Sequence, residues 1–369
     1  MLFLSETDQI KGENLEEISP QKPEALDENE GKKGGNRWLP IFGLLFGIAA
    51  LVFIVYFVGF ETILEPLGRI GWGFFWIVAL NGIRHYLRGI SLYIAIPRGE
   101  TSFSINTAFA ARLAGETINT IAFTGPVLGD AAKTAMLKQD SALEHSATAV
   151  IIDEIIYYVS SLLLILAGAI VVLYAYGTGV ALYVMLVGLV ILSVALLVGI
   201  WWAVRKGMKP LSWLIKKVGS RWFIPRSLVR KRDEIYNIEC NVLEFHSERP
   251  RAFFMIFGLI LVTHFLSVLE VYWAMQMLGL TATVNGAFII ESLTKAVNFI
   301  FFLIPGTVGA YEGGNSLILT ALGYSAGAGV ALALVRRGGI IFWTLIGGII
   351  LFWQGAKTSV EQVVETESE

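Results

Sequence analysis

Apolar residues come in long continuous runs separated by short polar stretches. A helix needs roughly 20 residues, at about 1.5 Å each, to cross a ~30 Å hydrocarbon layer. Six runs have that reach: 38–60, 72–96, 147–176, 180–204, 252–279 and 330–354. Two further apolar regions are interrupted, 104–137 around Thr124-Gly125-Pro126 and Gly129, and 285–322 around Pro305-Gly306 and Gly309. Proline removes a donor and clashes with the preceding turn, and glycine loosens it. Each broken region is therefore expected to form two half-helices around an unwound turn. The pattern predicts an all-α polytopic membrane protein with about six full transmembrane helices plus two Pro/Gly-broken re-entrant hairpins.

Composition narrows this further. The 369 residues are 55% hydrophobic and only 16% charged, against roughly a quarter charged in soluble domains. An outer-membrane barrel needs alternating strands of about ten residues, and these runs are about twice that long. Cys240 is the only cysteine, so no internal disulfide framework or Cys/His zinc cluster is expected. Residues 1–37 carry nine acids and five bases and are expected to form a disordered polar cytoplasmic tail. They lack the basic start and apolar core of a signal peptide. The segment 355–369 reads as an acidic cytoplasmic tail.

The stretch 205–251 holds 12 Lys/Arg against five acids, with Trp213, Trp222, Phe223 and Ile224 among them. It reads as a basic amphipathic loop, and basic loops mark the cytoplasmic side; a patch for anionic headgroups is the alternative reading. It divides the membrane part into halves, 38–204 and 252–354. Carried through the chain, this places both termini in the cytoplasm of a multi-pass protein of the cytoplasmic (inner) membrane. The two hairpins then enter from opposite faces.

The broken regions resemble each other. Asn119 precedes Pro126 by seven residues, and Asn298 precedes Pro305 by seven. Glycine and an acid follow in both, Gly129 and Asp130 in one, Gly309 and Glu312 in the other. Three residues before the asparagine stands Glu116 in one and Lys295 in the other. With opposite insertion, this predicts an inverted repeat whose discontinuous helices meet near the midplane, the pointer to a transporter binding site.

Ionisable residues lie inside apolar runs: Arg84, His85, Arg88, Arg112, Glu116, Asp153, Glu154, His264, Glu270, Glu291, Lys295, Arg336 and Arg337. Each costs at least ~2.5–3.5 kcal/mol on a lipid-facing helix, so they are expected to face the protein interior. Arg112/Glu116 and Glu291/Lys295 are four apart and can pair locally. Arg84/Arg88 and Arg336/Arg337 need outside acids or an anionic ligand. Guanidinium forks match phosphate oxygens, and half-helix starts after Pro126 and Pro305 would add amides. Alternatively, Asp130, Glu116, Asp153 and Glu154 pair with the arginines and only hold helices together. No Walker A loop, H-E-x-x-H or local Ser/His/Asp set is present, so catalysis, cofactor and metal are not expected, nor is nucleic acid.

Asn119, Pro126, Gly129, Asp130 and Lys133, then Asp153-Glu154, Arg84 or Arg88, and a Pro305-Gly306-x-x-Gly309-x-x-Glu312 turn followed by Arg336 form a pattern. It resembles the flippase-like transmembrane domain of lysylphosphatidylglycerol synthases over about 38–354, here without the synthase module. In that family the first motif is one residue longer and carries Glu where Asp130 stands. The resemblance implies binding and translocation of amphipathic lipids, an anionic phospholipid or an isoprenoid or hopanoid-type lipid, without lipid aminoacylation. The expected function is a membrane lipid transporter whose headgroup path is contacted by Arg84, Arg88 and Arg336, with Asp130, Asp153 and Glu312 as counter-charges or proton carriers. A membrane-embedded headgroup enzyme and a non-transporting anchor for a lipid-modifying enzyme are the alternatives. The glycine-rich faces permit a homodimer.

Overall fold

A computed structural model describes residues 70–96, 104–121, 126–137, 142–175, 179–218 and 231–368. The stretches 1–37, 38–60 and 97–103, and the Thr124-Gly125 step, lie outside these residues. The described chain is helical. Its helices are α1 (Phe74–Ala95), α2 (Ile105–Ile121), α3 (Pro126–Leu137), α4 (Leu143–Ala175), α5 (Val180–Arg205), α6 (Pro210–Val218), α7 (Arg232–Glu248), α8 (Pro250–Met277), α9 (Val284–Ile300), α10 (Ala310–Ala321) and α11 (Ala326–Ser368). Among the described residues four helices are long and apolar enough to cross a membrane: Leu143–Ala175, Leu182–Arg205, Pro250–Met277 and Ala326–Gln354. The chain is an all-α polytopic membrane protein.

The packing repeats. α1 lies against α2, α4 and α11, and α8 lies against α9, α11 and α4. The arms α2 and α3 pack on each other, as do α9 and α10; α3 packs on α4 as α10 packs on α11. α2 reaches across to α11, and α9 reaches across to α4. Exchanging α1–α4 for α8–α11 therefore reproduces the same set of neighbours. α1 and α8, which meet at the centre, run antiparallel. The Arg249 guanidinium at the start of α8 donates to the carbonyls of Ala95 (3.1 Å) and Ile94 (3.0 Å) at the end of α1. At the other end, Gly73 faces the side chain of Met277. The pseudo-two-fold axis is thus perpendicular to the helices, which is the inverted repeat the sequence predicted.

Both broken regions fold as hairpins. In lipid there is no hydrophobic force between helices, and small residues let backbones approach. Gly115 and Gly129 meet between α2 and α3, where a Cβ on Gly129 would collide with Asn119 Oδ1 and the Gly115 carbonyl. The turn between α9 and α10 is a 3-10 step, Pro305–Thr307, with Gly306 and Gly309 at φ 54° and 79°, values that glycine adopts without strain. The Glu312 carboxylate accepts from Gly309 N at 2.8 Å and caps α10. The end of α2 approaches the second turn: the Thr120 carbonyl lies 3.4 Å from where a Cβ on Gly306 would stand.

Two apolar clusters fill opposite ends of this bundle. Leu92, Ala111, Ile152, Ile256 and Ile260 belong to one, and Ile77, Val271, Ile290, Leu319 and Val335 to the other. The charged residues of α1, Arg84 and Arg88, fall between them in sequence. Outside the repeat, α5 packs on α4 and leaves Val184, Ile191 and Val198 exposed. In the basic stretch, α6 buries Ser212 and Ile215 and exposes Leu211, Trp213 and Leu214. The Glu239 carboxylate of α7 caps α6 by accepting from Leu211 N at 2.8 Å and Ser212 N at 3.1 Å.

Candidate functional site

The buried charges form two networks, one in each half. In the first, Glu154 on α4 is the hub: Lys133 Nζ lies at 2.6 Å, Arg112 Nη1 at 2.8 Å and Arg88 Nη2 at 3.2 Å. Arg88 also holds Asp153 at 2.6 Å, and Ser91 Oγ donates to the other Asp153 oxygen at 2.7 Å. Lys133 reaches Asp130 at 2.8 Å, and Arg112 pairs with Glu116 at 3.2 Å. In the second half Arg336 on α11 is the hub, with Glu291 at 2.7 Å and Glu270 at 3.0 Å. Lys295 pairs with Glu291 at 3.2 Å. Arg337 pairs with Glu312 and donates to the Gly306 carbonyl at 3.0 Å. Arg84 joins Glu270 across the halves. The acids that the arginines need come largely from the protein itself.

The two networks correspond position by position with the sign reversed. Arg112 and Glu291 each precede the hairpin asparagine by seven residues, and Glu116 and Lys295 precede it by three. Lys133 and Glu312 each follow the hairpin proline by seven. The ion pairs agree. Arg112–Glu116 answers Glu291–Lys295, Lys133–Glu154 answers Glu312–Arg337, and Arg88–Asp153 answers Glu270–Arg336. One sequence correspondence changes here: Glu312 is the counterpart of Lys133 and not of Asp130, because the turn before α10 places its glycine one residue further from the proline.

Between the halves lies a cavity of about 580 Å³, walled by α1, α2, α4, α9, α10 and α11. Arg84, Glu116, Glu291, Lys295, Asn298 and Arg336 supply its polar wall; Leu162, Ile165, Phe299 and Phe302 supply much of the apolar one. Phe299 and Phe302 keep 39% and 53% of their surface exposed. Arg84, Lys295 and Arg336 pair with Glu270 and Glu291, and Glu116 adds a third carboxylate to the same lining. Arg336 Nη1 is buried with no hydrogen-bond partner among the described residues.

Of the residues the sequence singled out, Arg84, Asn298 and Arg336 line this cavity, as do the ionisable His85, Glu116, Glu291 and Lys295. Arg88, Asp130, Lys133, Asp153 and Glu154 belong to the first network and lie outside the lining, which that network reaches through Glu116. Arg88 also stacks 4.1 Å over the ring of Tyr157, and that ring does line it. Pro126 starts α3, and Asn119 and Gly129 form the close contact within the first hairpin. Asn298 Oδ1 accepts from Thr307 Oγ1 at 3.2 Å in the second turn, which Pro305 opens. Gly309 and Glu312 cap α10. Sequence reasoning missed Asn81, Tyr157, Ser161, Thr294, Trp343 and Thr344, all in the lining. They are uncharged, and all but Thr294, which lies in the second broken region, fall in runs that read as ordinary lipid-spanning helix.

Fold and site together define a helical membrane protein with two inverted halves, paired re-entrant hairpins and an ion-paired polar cavity at their junction. Residues 41–348 match the family described as the lysylphosphatidylglycerol synthase TM region, and the chain belongs to that family. This makes it a membrane protein related to lipid handling. No curated protein and no solved structure matches the chain.

Proposed function

We propose that the protein binds an anionic amphipathic lipid by its headgroup in the cavity between the hairpins and moves it across the cytoplasmic membrane, leaving its covalent structure unchanged. The observation that carries this is the cluster of three cations, Arg84, Lys295 and Arg336, in the wall of one cavity, beside an apolar surface that includes Phe299 and Phe302. A phosphodiester would give Arg336 Nη1, which has no hydrogen-bond partner among the described residues, an acceptor. The acyl chains would pass beside the two phenylalanines. The basic stretch 205–251 and the polar termini lie in the cytoplasm on this reading.

The test is reconstitution in vesicles with a fluorescent anionic phospholipid in one leaflet, followed by a membrane-impermeant quencher. The wild-type protein should equilibrate the label between leaflets, and Lys295→Met should slow this at least ~10-fold, the loss of roughly one charge-assisted hydrogen bond. Recovered lipid should keep its mass. Transport by folded Lys295→Met at the wild-type rate would overturn the role of the cavity, and a changed lipid mass would move the protein to the enzymes.

A further inference from the structure

The stretch 205–251 contributes nothing to the lining of the cavity between the halves, yet its helices divide their charges sharply. From Arg205 to Val218 there are five bases and no acid, whereas α7 carries five acids, Asp233, Glu234, Glu239, Glu244 and Glu248. The bases stand among large apolar side chains that are exposed: Met208, Leu211, Trp213 and Leu214. A contiguous apolar patch of this kind marks an interaction surface. The opposite face of α6 is already engaged. It buries Ser212 and Ile215 and packs on α7, whose Glu239 caps it.

The place of α6 along the chain points to what covers that patch. α5 is long and apolar enough to cross a membrane and ends at Arg205. Its last turns expose Trp201 and Trp202, a residue type that gathers at the membrane–water boundary. There Gly207, at φ 58°, turns the chain, with Gly207 N donating to the Val204 carbonyl at 3.0 Å and Met208 N to that of Ala203 at 2.9 Å. Only residues 206–209 separate α5 from α6, a reach of at most about 14 Å. α6 therefore starts at the headgroup level of the leaflet in which α5 ends. Tryptophan and leucine exposed beside lysines suit a helix lying in that layer. The cations lie over the aromatic rings, Lys217 Nζ at 4.7 Å from Trp213 and Arg205 Cζ at 5.2 Å from Trp201. We propose that α6 docks onto an anionic leaflet, with Leu211, Trp213 and Leu214 among the upper acyl chains and Lys206, Lys216 and Lys217 reaching the phosphates. Asn241 of α7 donates to Glu144 at 2.9 Å at the start of α4, so the docked helix is joined through α7 to the helix that carries Asp153 and Glu154. This surface is separate from the cavity, and its docking holds whatever the cavity binds.

The experiment places a nitroxide label at Leu214→Cys in full-length Cys240→Ser protein. The protein is set in nanodiscs of phosphatidylcholine alone, or with a third of it replaced by phosphatidylserine. Electron paramagnetic resonance reads the label's accessibility to oxygen, which enriches in lipid, against a neutral nickel chelate, which stays in water. Labels at Val198→Cys on α5 and Ser247→Cys on α7, both exposed positions, give the lipid and water references. A lysine at an anionic surface changes partitioning by about 5-fold. The oxygen-to-nickel ratio at 214 should therefore rise at least about 5-fold towards the Val198 value when phosphatidylserine is added. Lys206→Gln/Lys216→Gln/Lys217→Gln should remove that rise and leave both references unchanged. A ratio at 214 that stays at the Ser247 value in both nanodiscs overturns the docking. A lipid-like ratio equal in both, or a rise that the triple variant keeps, overturns the role of leaflet charge. A label shielded from both reagents overturns the proposal in favour of a protein partner on α6.

Discussion

The two halves have the same helices, the same neighbours and nearly the same hairpin spacing, yet their buried charges are opposite. The first half gathers three cations around one carboxylate, Glu154. The second gathers two carboxylates around one guanidinium, Arg336. Backbone packing in lipid depends on small residues and close approach, and the sign of a charge does not enter it. Pairing depends only on opposite signs at a given distance, so exchanging every sign leaves each half as well neutralised as before. The geometry of the repeat and the polarity of its charges are thus separate properties.

The largest effect should come from removing a hub. Glu154→Leu leaves Arg112 with only Glu116 and Lys133 with only Asp130. Breaking a buried network of this kind costs about 3–5 kcal/mol. Thermal unfolding in detergent should show a markedly lower midpoint, and Arg336→Leu should match it if the hubs are equivalent. A midpoint shift confined to one half would break the comparison.

Sign exchange should cost less. Glu312→Lys alone sets a cation against Arg337, and adding Arg337→Glu restores the opposite pair with the polarity of Lys133–Glu154. The double variant should recover about 1–2 kcal/mol over the single one, within the usual range of coupling energies. Recovery stays incomplete because lysine cannot accept from Gly309 N as Glu312 does. If the double is no more stable than the single, pairing is not what Glu312 contributes.

The hairpins can be compared in the same way. Gly129→Ala forces a Cβ onto a backbone carbonyl and Asn119, while Gly314→Ala meets only the side chain of Val297. The first should cost about 2–3 kcal/mol and the second about 1 kcal/mol, since overpacking against backbone relaxes least. Equal shifts would mean that both hairpins yield alike. Smallest of all, Arg249→Met removes two hydrogen bonds to the end of α1 and should lower stability by about 1 kcal/mol.

Much of this was legible in the sequence because it is local. Run length gives the helices, Pro126 and Pro305 the breaks, and the Asn-to-Pro spacing the repeat. The reversal at Glu116 and Lys295 was visible too, as were the four-apart pairs. Partnerships between distant helices were not. Arg88 meets Asp153 and Arg84 meets Glu270 through packing, and periodicity tells which face a residue occupies but not what stands opposite. Asp130 looked like the match of Glu312 because both follow a glycine; the added residue in the second turn shifts the helix start. Ser161 and Thr344 carry no charge and leave no mark within an apolar run. The signal that would have found them is the register of one half laid on the other.

The ion pairs also bear on how the chain can be made. Among the described residues nearly every one closes within its own half: residues 88–154 satisfy one another, as do 270–337. A chain that emerges from the ribosome N-terminus first can therefore neutralise its first set of costly charges before the second set has been synthesised. Arg84 is the exception. Its carboxylate, Glu270, lies 186 residues further on, so that arginine must wait through the synthesis of half the protein. Their meeting marks the moment at which the two halves close on each other.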